Sequence, residues 1–347
     1  MAHFIKEVSL GINIQNKDSL RYDTIKGYAD AAIKLFLLRD LPAPFLFDDK
    51  TSIAATILKN IQDEEDIAVQ RAPITVEMFA KMLEITNCID ADFFSVESCV
   101  TDFAILGRYI GPRLAEYGQK SHIRPEYHDF PSGKSVLKAF CADDITFTDG
   151  NGRRILNCDL KDIDRVAKMK IKFKVQKNRR NGEEKEVLAD THNKQMCAVR
   201  AAFRIVARSK LLNQPSTLPC GVYKYSDKMR YLTGSDVSTF LKKVARSAHP
   251  DMELSEIKKF SAHSLRVTAA VLLHEQGRDG DYIKIQLRWM GDSYRVYLRS
   301  TPTILKTHVD SLGRSASLSI RLANLPTDVS HSTDAMELNA MGNYTDL

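Results

Sequence analysis

The sequence predicts a mainly α-helical protein with a small antiparallel β-sheet, an α+β fold. Two observations lead to this prediction. Apolar residues return at helical spacing over most of the chain, as at Ile25, Tyr28, Ala32 and Leu35. Residues 143–190 instead hold β-prone runs joined by the turn sequences DGNG and NG, which are typical of hairpins. We therefore expect the sheet in this stretch and helices elsewhere.

The composition indicates a soluble protein. The chain has 347 residues, enough for two domains, and is 44% hydrophobic and 27% charged. No run approaches the roughly 20 apolar residues of a membrane span, and the first residues lack the layout of a secretory signal. Six cysteines without a C-x-x-C pair and nine histidines without zinc-like spacing indicate reduced thiols and no metal site. We expect an intracellular protein without membrane contact or cofactor.

A polar, acidic run, QDEEDIAVQRAP, separates two groups of predicted helices. We place a boundary there, which gives a helical domain over residues 1–70 and a larger domain over residues 71–320. Thr75 is predicted to cap the first helix of the larger domain. Residues 321–347 are polar and aperiodic, which predicts a mobile tail.

The net charge is only +6, so the location of the basic residues matters more than their number. In KMKIKFKV, lysines alternate strictly with apolar residues, so a strand would place the apolar residues on the core and the ammonium groups on the opposite face. An arginine-rich turn follows, which favours a phosphate backbone as partner. The alternative is an edge strand that lysines protect from aggregation. The predicted DNA-binding residues are Lys168, Lys170, Lys172, Lys174, Arg179 and Arg180.

A candidate anion site lies in RYIGPRLAEY. Gly111 permits an unusual backbone angle and Pro112 suits the first position of a helix, which would place Arg113 in the first turn, where an anion is favoured. Glu116 follows three residues later on the same face and can fix the guanidinium. The alternative is an ordinary capped helix with a local ion pair.

A second candidate site lies in FSAHSLRVTAAVLLHEQG. Ser261 can cap a helix, and His263 and Arg266 share one face of it. Together they offer an anion site with a group that moves a proton near neutral pH. The alternative is a surface histidine with a solvated arginine. Gly277 is expected to end this helix in the left-handed conformation.

The only tryptophan of the chain, Trp289, lies in LRWMGDSYRVYLRS, with Tyr294 and Tyr297 shortly after it. An indole offers one N–H donor on a large apolar ring, so it can line a polar site or fill a core. Both interpretations are open from the residues alone.

These motifs, in this order, resemble those of the tyrosine recombinases, the family of phage-type integrases. The family has an arginine in a G-x-R-x-x-E turn, a lysine in a β-hairpin, an H-x-x-R pair, a histidine or tryptophan, and a nucleophilic tyrosine eight or nine residues later. The resemblance covers about residues 73–310. It implies the catalytic set Arg113, Lys177, His263, Arg266, Trp289 and Tyr297, supported by Glu116 and Tyr294.

The spelling RWMGDSYRVYLR looks especially like recombinases of eukaryotic mobile elements, the Crypton and DIRS-like groups. The resemblance implies the family's catalytic-domain fold, preceded by a short helical core-binding domain over residues 1–70. It also implies double-stranded DNA as partner, four protomers on two DNA sites, and no small-molecule substrate. The location would be the nucleus if the host is eukaryotic, and otherwise the cytoplasm.

The function expected from this resemblance is site-specific DNA recombination or integration through a 3′-phosphotyrosine intermediate, by a transposon protein that a mobile element encodes. Three alternatives remain open. The chain can be a DNA-binding protein that keeps the fold without cutting DNA, a type IB topoisomerase-like enzyme, or a helical scaffold that binds other proteins. Salt-insensitive, weak DNA binding would favour the last of these.

Overall fold

The computed structural model describes residues 1–10, 20–49, 51–64, 70–87, 92–176 and 180–298. By its internal contacts the chain divides into two compact units, Met1–Val69 and Gln70–Leu347. The predicted tail over residues 321–347 lies outside the described residues. Among the described helices, none is both long and apolar enough to cross a bilayer.

The first unit is a small helical cluster. Its three helices are α1 (Ala2–Ser9), α2 (Tyr22–Leu37) and α3 (Ile53–Glu64). They bury a common apolar core that includes Ile5, Ile25 and Leu58. The sequence predicts only one helix in the first 40 residues, so α1 is an addition. For that helix the sequence predicts a cap at Asp23 or Thr24; this is wrong, because α2 begins at Tyr22 with Arg21 as its N-cap.

The second unit is built around α5, which is buried along most of its length and packs against α4, α7 and α10. The predicted cap at Thr75 is confirmed, since its hydroxyl accepts the Met78 N–H at 3.2 Å. The helices of this unit are α4 (Val76–Thr86), α5 (Val96–Ile110), α6 (Leu114–Tyr117), α7 (Ala198–Leu211), α8 (Gly234–Ala248), α9 (Leu254–Ile257), α10 (Ser264–Glu275), α11 (Gly280–Leu287) and α12 (Arg295–Leu298).

The described strands of the second unit all pair antiparallel, so the predicted α+β class with small antiparallel sheets is confirmed. The main sheet has the order β4-β3-β5-β6, and two short hairpins, β1–β2 and β7–β8, were not expected from the sequence. The strands are β1 (Tyr127–Asp129), β2 (Ser135–Leu137), β3 (Ile145–Asp149), β4 (Arg154–Ile155), β5 (Val166–Phe173), β6 (Glu183–Leu188), β7 (Val222–Tyr225) and β8 (Lys228–Tyr231).

The lysine-rich strand is β5, and its alternation is confirmed for the stretch that is a strand. Met169, Ile171 and Phe173 are buried on one face, whereas the lysines between them lie on the other. However, β5 lies between β3 and β6. The alternative in which these lysines protect a sheet edge is therefore wrong, because both sides of β5 are already hydrogen-bonded.

Candidate active site

The end of α5 determines the position of Arg113. Gly111 caps α5 in the left-handed conformation, with φ of 51°, and the chain then enters the four-residue helix α6. Arg113 is the N-cap of α6, so the prediction that Pro112 begins a helix and Arg113 lies in its first turn is wrong. Arg113 instead donates from its backbone N–H to Glu116 Oε2 at 2.8 Å and from Nη1 to Glu116 Oε1 at 3.1 Å. The carboxylate thereby fixes both the backbone and the guanidinium of Arg113.

Glu116 is only 3% exposed and also binds a second arginine, Arg288, whose Nη2 lies 2.8 Å from Glu116 Oε2. Sequence reasoning missed Arg288, although it directly precedes Trp289. The alternative of an ordinary local ion pair describes only part of this arrangement, because one buried carboxylate holds two guanidinium groups from distant parts of the sequence. The two guanidinium groups and the single carboxylate together carry a net positive charge, which suits an anionic ligand.

The start of α10 brings His263 and Arg266 into the same region. His263 is the N-cap of α10, so the predicted cap at Ser261 is wrong; the Ser261 hydroxyl accepts the His263 N–H at 3.3 Å before the helix starts. Arg266 is 4% exposed and donates to the Gly111 carbonyl and, at 3.1 Å, to the Leu287 carbonyl. The alternative of a solvated arginine is therefore wrong. Farther along, Gly277 follows the helix with φ of 73°, as predicted.

Trp289 lies between the buried cluster of the C-terminal helices and the cleft. Its ring packs beneath the Arg266 guanidinium, 4.2 Å from ring centroid to Cζ, and lies 5.8 Å from the Tyr297 ring. The ring also contacts the apolar cluster around Val267 and Leu287. Within the described part of the chain, its indole Nε1 is buried without a hydrogen-bond partner. Both interpretations of Trp289 thus hold in part, since it packs on a core and lines a polar site.

His263 and Tyr297 form a hydrogen bond, with Nε2 and Oη 2.8 Å apart. Burial, assisted by the positive charge of Arg266, lowers the pKa of His263 from its usual value. Burial raises the pKa of Tyr297, and Arg266 opposes that shift. At neutral pH the imidazole is therefore neutral and the phenol keeps its proton, so Tyr297 donates and His263 accepts.

The two tyrosines have different environments. Tyr294 is 2% exposed and belongs to the buried cluster of α10, α11 and α12. Tyr297 is only partly buried and lines the cleft. A nucleophile must reach a ligand, so the geometry favours Tyr297 over Tyr294.

A single cleft of about 530 Å³ joins these groups. It contains three basic side chains beside one phenol. Five of the six predicted catalytic residues line it, and the sixth, Lys177, lies outside the described residues. These five residues are Arg113, His263, Arg266, Trp289 and Tyr297.

Sequence reasoning also missed Lys185, on the strand β6. Its ammonium donates to the Tyr109 carbonyl at 3.2 Å and to the Gln286 carbonyl at 2.6 Å, which are at the ends of α5 and α11. Burial, followed by repulsion from Arg288, lowers its pKa to about 8. The side chain ties two helix C-termini together, where cations are favoured.

The predicted DNA-binding lysines are not equivalent. Lys168 pairs with Glu186 at 3.1 Å and Lys170 with Glu184 at 3.2 Å, so part of the basic row on β5 is neutralised by β6.

Lys174 departs from that row, because β5 ends at Phe173 and the chain turns its ammonium inward to Asp144, at 2.6 Å. The expectation that Lys174 continues the exposed face is therefore wrong. Lys172 is exposed on β5, Arg180 lies at the described end of the hairpin turn, and Arg179 lies outside the described residues.

The part of the chain that is described has neither a metal-ligand cluster nor a disulfide bond. No group of three His, Cys, Asp or Glu side chains there is arranged to hold a metal ion. The five described cysteines are free and buried, and Cys88 lies outside the described residues. Burial raises the pKa of Cys99 to about 12, which makes it a poor nucleophile.

No protein-family model and no curated protein matches this sequence. Among solved structures, the chain is similar to the XerA recombinase, with 12% identity, 89% of this chain and 89% of that chain covered, and a TM-score of 0.38. It is similar to the Tn1549 transposon integrase in complex with transposon right end DNA, with 14% identity, 85% and 80% covered, and a TM-score of 0.43. The XerH site-specific recombinase bound to its difH substrate gives 13% identity, 88% and 74% covered, and a TM-score of 0.40. These likenesses are distant, so the function rests on the chain's own residues.

Proposed function

We propose that this protein is a DNA strand transferase of the tyrosine recombinase type, which cleaves and rejoins DNA with Tyr297 as nucleophile. The observation that carries the proposal is the 2.8 Å hydrogen bond between Tyr297 Oη and His263 Nε2 in a cleft that also holds Arg113 and Arg266. A phenol beside a neutral base and two guanidinium groups is suited to attack on a phosphodiester.

The first step activates the nucleophile. A tyrosine with a raised pKa is a weak nucleophile until its proton leaves. His263 accepts that proton on Nε2 as Tyr297 Oη forms a bond to phosphorus. This role requires the neutral imidazole, and the lowered pKa of His263 keeps it neutral at physiological pH.

The second requirement is stabilisation of negative charge on the phosphate oxygens. Arg113 and Arg266 each retain N–H groups beyond those bound to protein oxygens, because a guanidinium has five donors. Planar, forked donors suit phosphate oxygens, and their charge needs no reorganisation at the moment of reaction. Trp289 supplies a further N–H, which reaches a phosphate only if DNA binding shifts the enclosed ring or its neighbours.

The leaving group is the 5′ oxygen of the next nucleotide. Its bond to phosphorus breaks as the Tyr297 bond forms, and it takes a proton from a general acid, for which we propose Lys177. The product is a 3′-phosphotyrosine and a free 5′ hydroxyl. Attack by a 5′ hydroxyl on that linkage reverses the steps and rejoins DNA without ATP, since one phosphoester replaces another.

We extend the proposal to the setting of the reaction. The substrate is double-stranded DNA, bound by both units, and four protomers act on two DNA sites. The protein is encoded by a mobile element and works in the nucleus if its host is eukaryotic. The outer face of β5, with Lys172 exposed and Lys168 and Lys170 partly so, suits contact with a phosphate backbone, which would make DNA binding salt-dependent.

The test is covalent trapping. Wild-type protein and Tyr297→Phe are incubated, without metal ions, with labelled nicked duplexes made from DNA that flanks the coding sequence. A nick next to the cleavage site lets the 5′-hydroxyl fragment diffuse away, so the phosphotyrosine accumulates. We expect a shifted band on a denaturing gel for the wild type and none for Tyr297→Phe.

Tyr294→Phe is the matched control, because it removes a phenol three residues away and should keep the band. A band that survives Tyr297→Phe but disappears with Tyr294→Phe would assign the nucleophile to Tyr294. No band from wild type, on DNA that it binds, would indicate a binding protein without cleavage activity. Plasmid relaxation without strand exchange would indicate a type IB topoisomerase.

A further inference from the structure

Arg288 is a buried arginine in a backbone conformation that favours glycine. It caps α11 with φ of 57° and ψ of 46°, and its side chain is 1% exposed. A left-handed backbone is unfavourable for a residue with a Cβ, and burial of a guanidinium is unfavourable unless its donors are satisfied. Both costs require compensation, and the contacts of the guanidinium provide it.

The guanidinium of Arg288 connects three separate segments. Nη2 donates to Glu116 Oε2 at 2.8 Å, Nη1 to the Ile110 carbonyl at 3.2 Å, and Nε to Gln176 Oε1 at 3.1 Å. Its plane packs on the Phe173 ring, with Cζ 3.3 Å from the centroid. The acceptors belong to the end of α5, to α6, and to the chain just after β5.

Arg288 holds Arg113 from two directions. Glu116 binds both guanidinium groups, so the carboxylate that orients Arg113 is itself oriented by Arg288. The Arg288 carbonyl also accepts from Arg113 Nη2 at 3.4 Å. Removal of the Arg288 guanidinium would leave Glu116 free to change its pose, and Arg113 with it.

Arg288 also holds the base of the β5–β6 hairpin. It fixes the side-chain oxygen of Gln176, and the amide nitrogen of Gln176 donates to the Arg180 carbonyl at 2.6 Å and to Glu183 Oε2 at 2.9 Å. The Gln176 N–H donates to Asn181 Oδ1 at 2.7 Å. The side-chain amide of Gln176 thus links Arg288 to Arg180 and Glu183 on the other side of the turn.

We propose that Arg288 is a positioning residue that holds Arg113, the base of the hairpin and Trp289 in one arrangement. Trp289 follows Arg288 directly, and the left-handed residue ends α11 so that the Trp289 N–H donates to the Lys284 carbonyl at 2.9 Å. The role in catalysis rests on the proposed function, whereas the mechanical connection does not.

The first experiment needs no DNA. Arg288→Gly removes the guanidinium but suits the left-handed backbone, so it isolates the side chain. We expect amide hydrogen exchange, measured by NMR, to become about tenfold faster at Arg113, Gln176 and Gly182, the change for about one lost net hydrogen bond. Arg288→Lys, which keeps a charge but lacks the fork, should give a smaller increase in the same amides and serves if Arg288→Gly fails to fold.

Arg208→Met is the matched control. Arg208 is also 1% exposed, pairs with Asp102 at 2.5 Å and packs on the Phe93 ring, but lies on α7 outside the cleft. Its loss should speed exchange in α5 and α7 and leave Arg113 and Gln176 unchanged. A uniform increase in Arg288→Gly, no increase, or the same local pattern in both variants would overturn the connection.

The second experiment is single-turnover cleavage, in which the amplitude reports the folded fraction and the rate reports the chemistry. We expect Arg288→Gly to slow the rate about 100-fold, the loss expected from a small misplacement of catalytic groups, with DNA affinity retained. Arg208→Met should reduce only the amplitude. A loss of amplitude alone in Arg288→Gly would reduce Arg288 to a stabilising role. Without cleavage by wild type, the proposed function fails and the exchange result alone decides the mechanical connection.

Discussion

The Tyr294 hydroxyl occupies the place where a side chain on Gly280 would begin. A Cβ built on Gly280 meets Tyr294 Oη first and Cζ at 3.2 Å, and the Tyr294 side chain is almost fully enclosed. Gly280 is the first residue of α11, and its lack of a side chain lets the two elements approach closely. The Tyr294 hydroxyl packs against the first residue of α11. Tyr294 is therefore a packing residue and does not have the nucleophilic role proposed for Tyr297.

Gly280→Ala should destabilise the protein although alanine is the better helix former. The added methyl group collides with the Tyr294 hydroxyl, and overpacking of this kind costs about 1–3 kcal/mol. In a Tyr294→Phe background the hydroxyl is absent, so the cost of Gly280→Ala should fall. Urea unfolding of the four proteins in a double-mutant cycle measures this coupling.

Gly27→Ala is the control for the change in helix propensity from glycine to alanine, because a Cβ on Gly27 meets no atom within 4 Å. It lies inside α2 and should raise the stability of the first unit by about 0.5–1 kcal/mol. Equal costs of Gly280→Ala in the presence and absence of the Tyr294 hydroxyl would contradict the collision.

The rate of strand cleavage should decrease as the pH falls below the usual range of a histidine. Protonated His263 cannot accept the Tyr297 proton, and its lowered pKa places this loss below pH ~6.5. Single-turnover rates between about pH 5 and pH 8 test this. His263→Ala should cleave more slowly at every pH and should not show the decrease in rate at acid pH. If that variant shows the same decrease, another group is responsible for it.

Glu116→Gln should be strongly destabilising. The change leaves two guanidinium groups, one of them fully buried, beside a neutral amide, and removal of one partner of a buried ion pair costs about 3–5 kcal/mol. Glu184→Gln is the matched control, since its pair with Lys170 is exposed and should contribute less than about 1 kcal/mol. Similar costs for both, measured by urea unfolding, would show that the buried carboxylate has no special role.

Lys185 should make stability increase with pH on the alkaline side. Its pKa is about 8 in the folded protein against 10.5 as the ordinary value, so between these values the unfolded chain binds more protons than the folded one. The free energy of unfolding of wild type, relative to Lys185→Met, should rise by about 2 kcal/mol between pH ~7 and pH ~10.

The exposed Lys172→Met variant is the comparison for Lys185→Met. The difference between wild type and Lys172→Met should stay nearly constant over the same pH range. A constant difference for Lys185→Met as well would mean that its ammonium is solvated in the folded protein.

The short spacings of the candidate site could be predicted from sequence because they are local. Arg113 with Glu116, and His263 with Arg266, are three residues apart, and residues at that distance are neighbours on a helix or its first turn. The alternation of β5 predicted its buried face for the same reason, since side chains in a strand alternate with period two.

Arg288, Lys185 and Lys174 could not be placed in this way. Arg288 and Lys185 bind backbone carbonyls at the ends of α5 and α11, which are some of the few helix carbonyls left without an intrahelical partner. A residue pattern does not reveal which carbonyls these are. Lys174 leaves its row because Asp144, distant in sequence, offers a buried carboxylate. The hairpins β1–β2 and β7–β8 are too short to show a period.

The position of Trp289 makes the protein its own optical reporter. It is the only tryptophan among 347 residues, so all indole emission comes from one ring in the cleft, beneath a guanidinium and beside the Tyr297 phenol. Its wavelength and its quenching will follow the polarity at that point alone. DNA entry, rearrangement of the ring and recovery after release can therefore be followed by stopped-flow fluorescence without an attached dye.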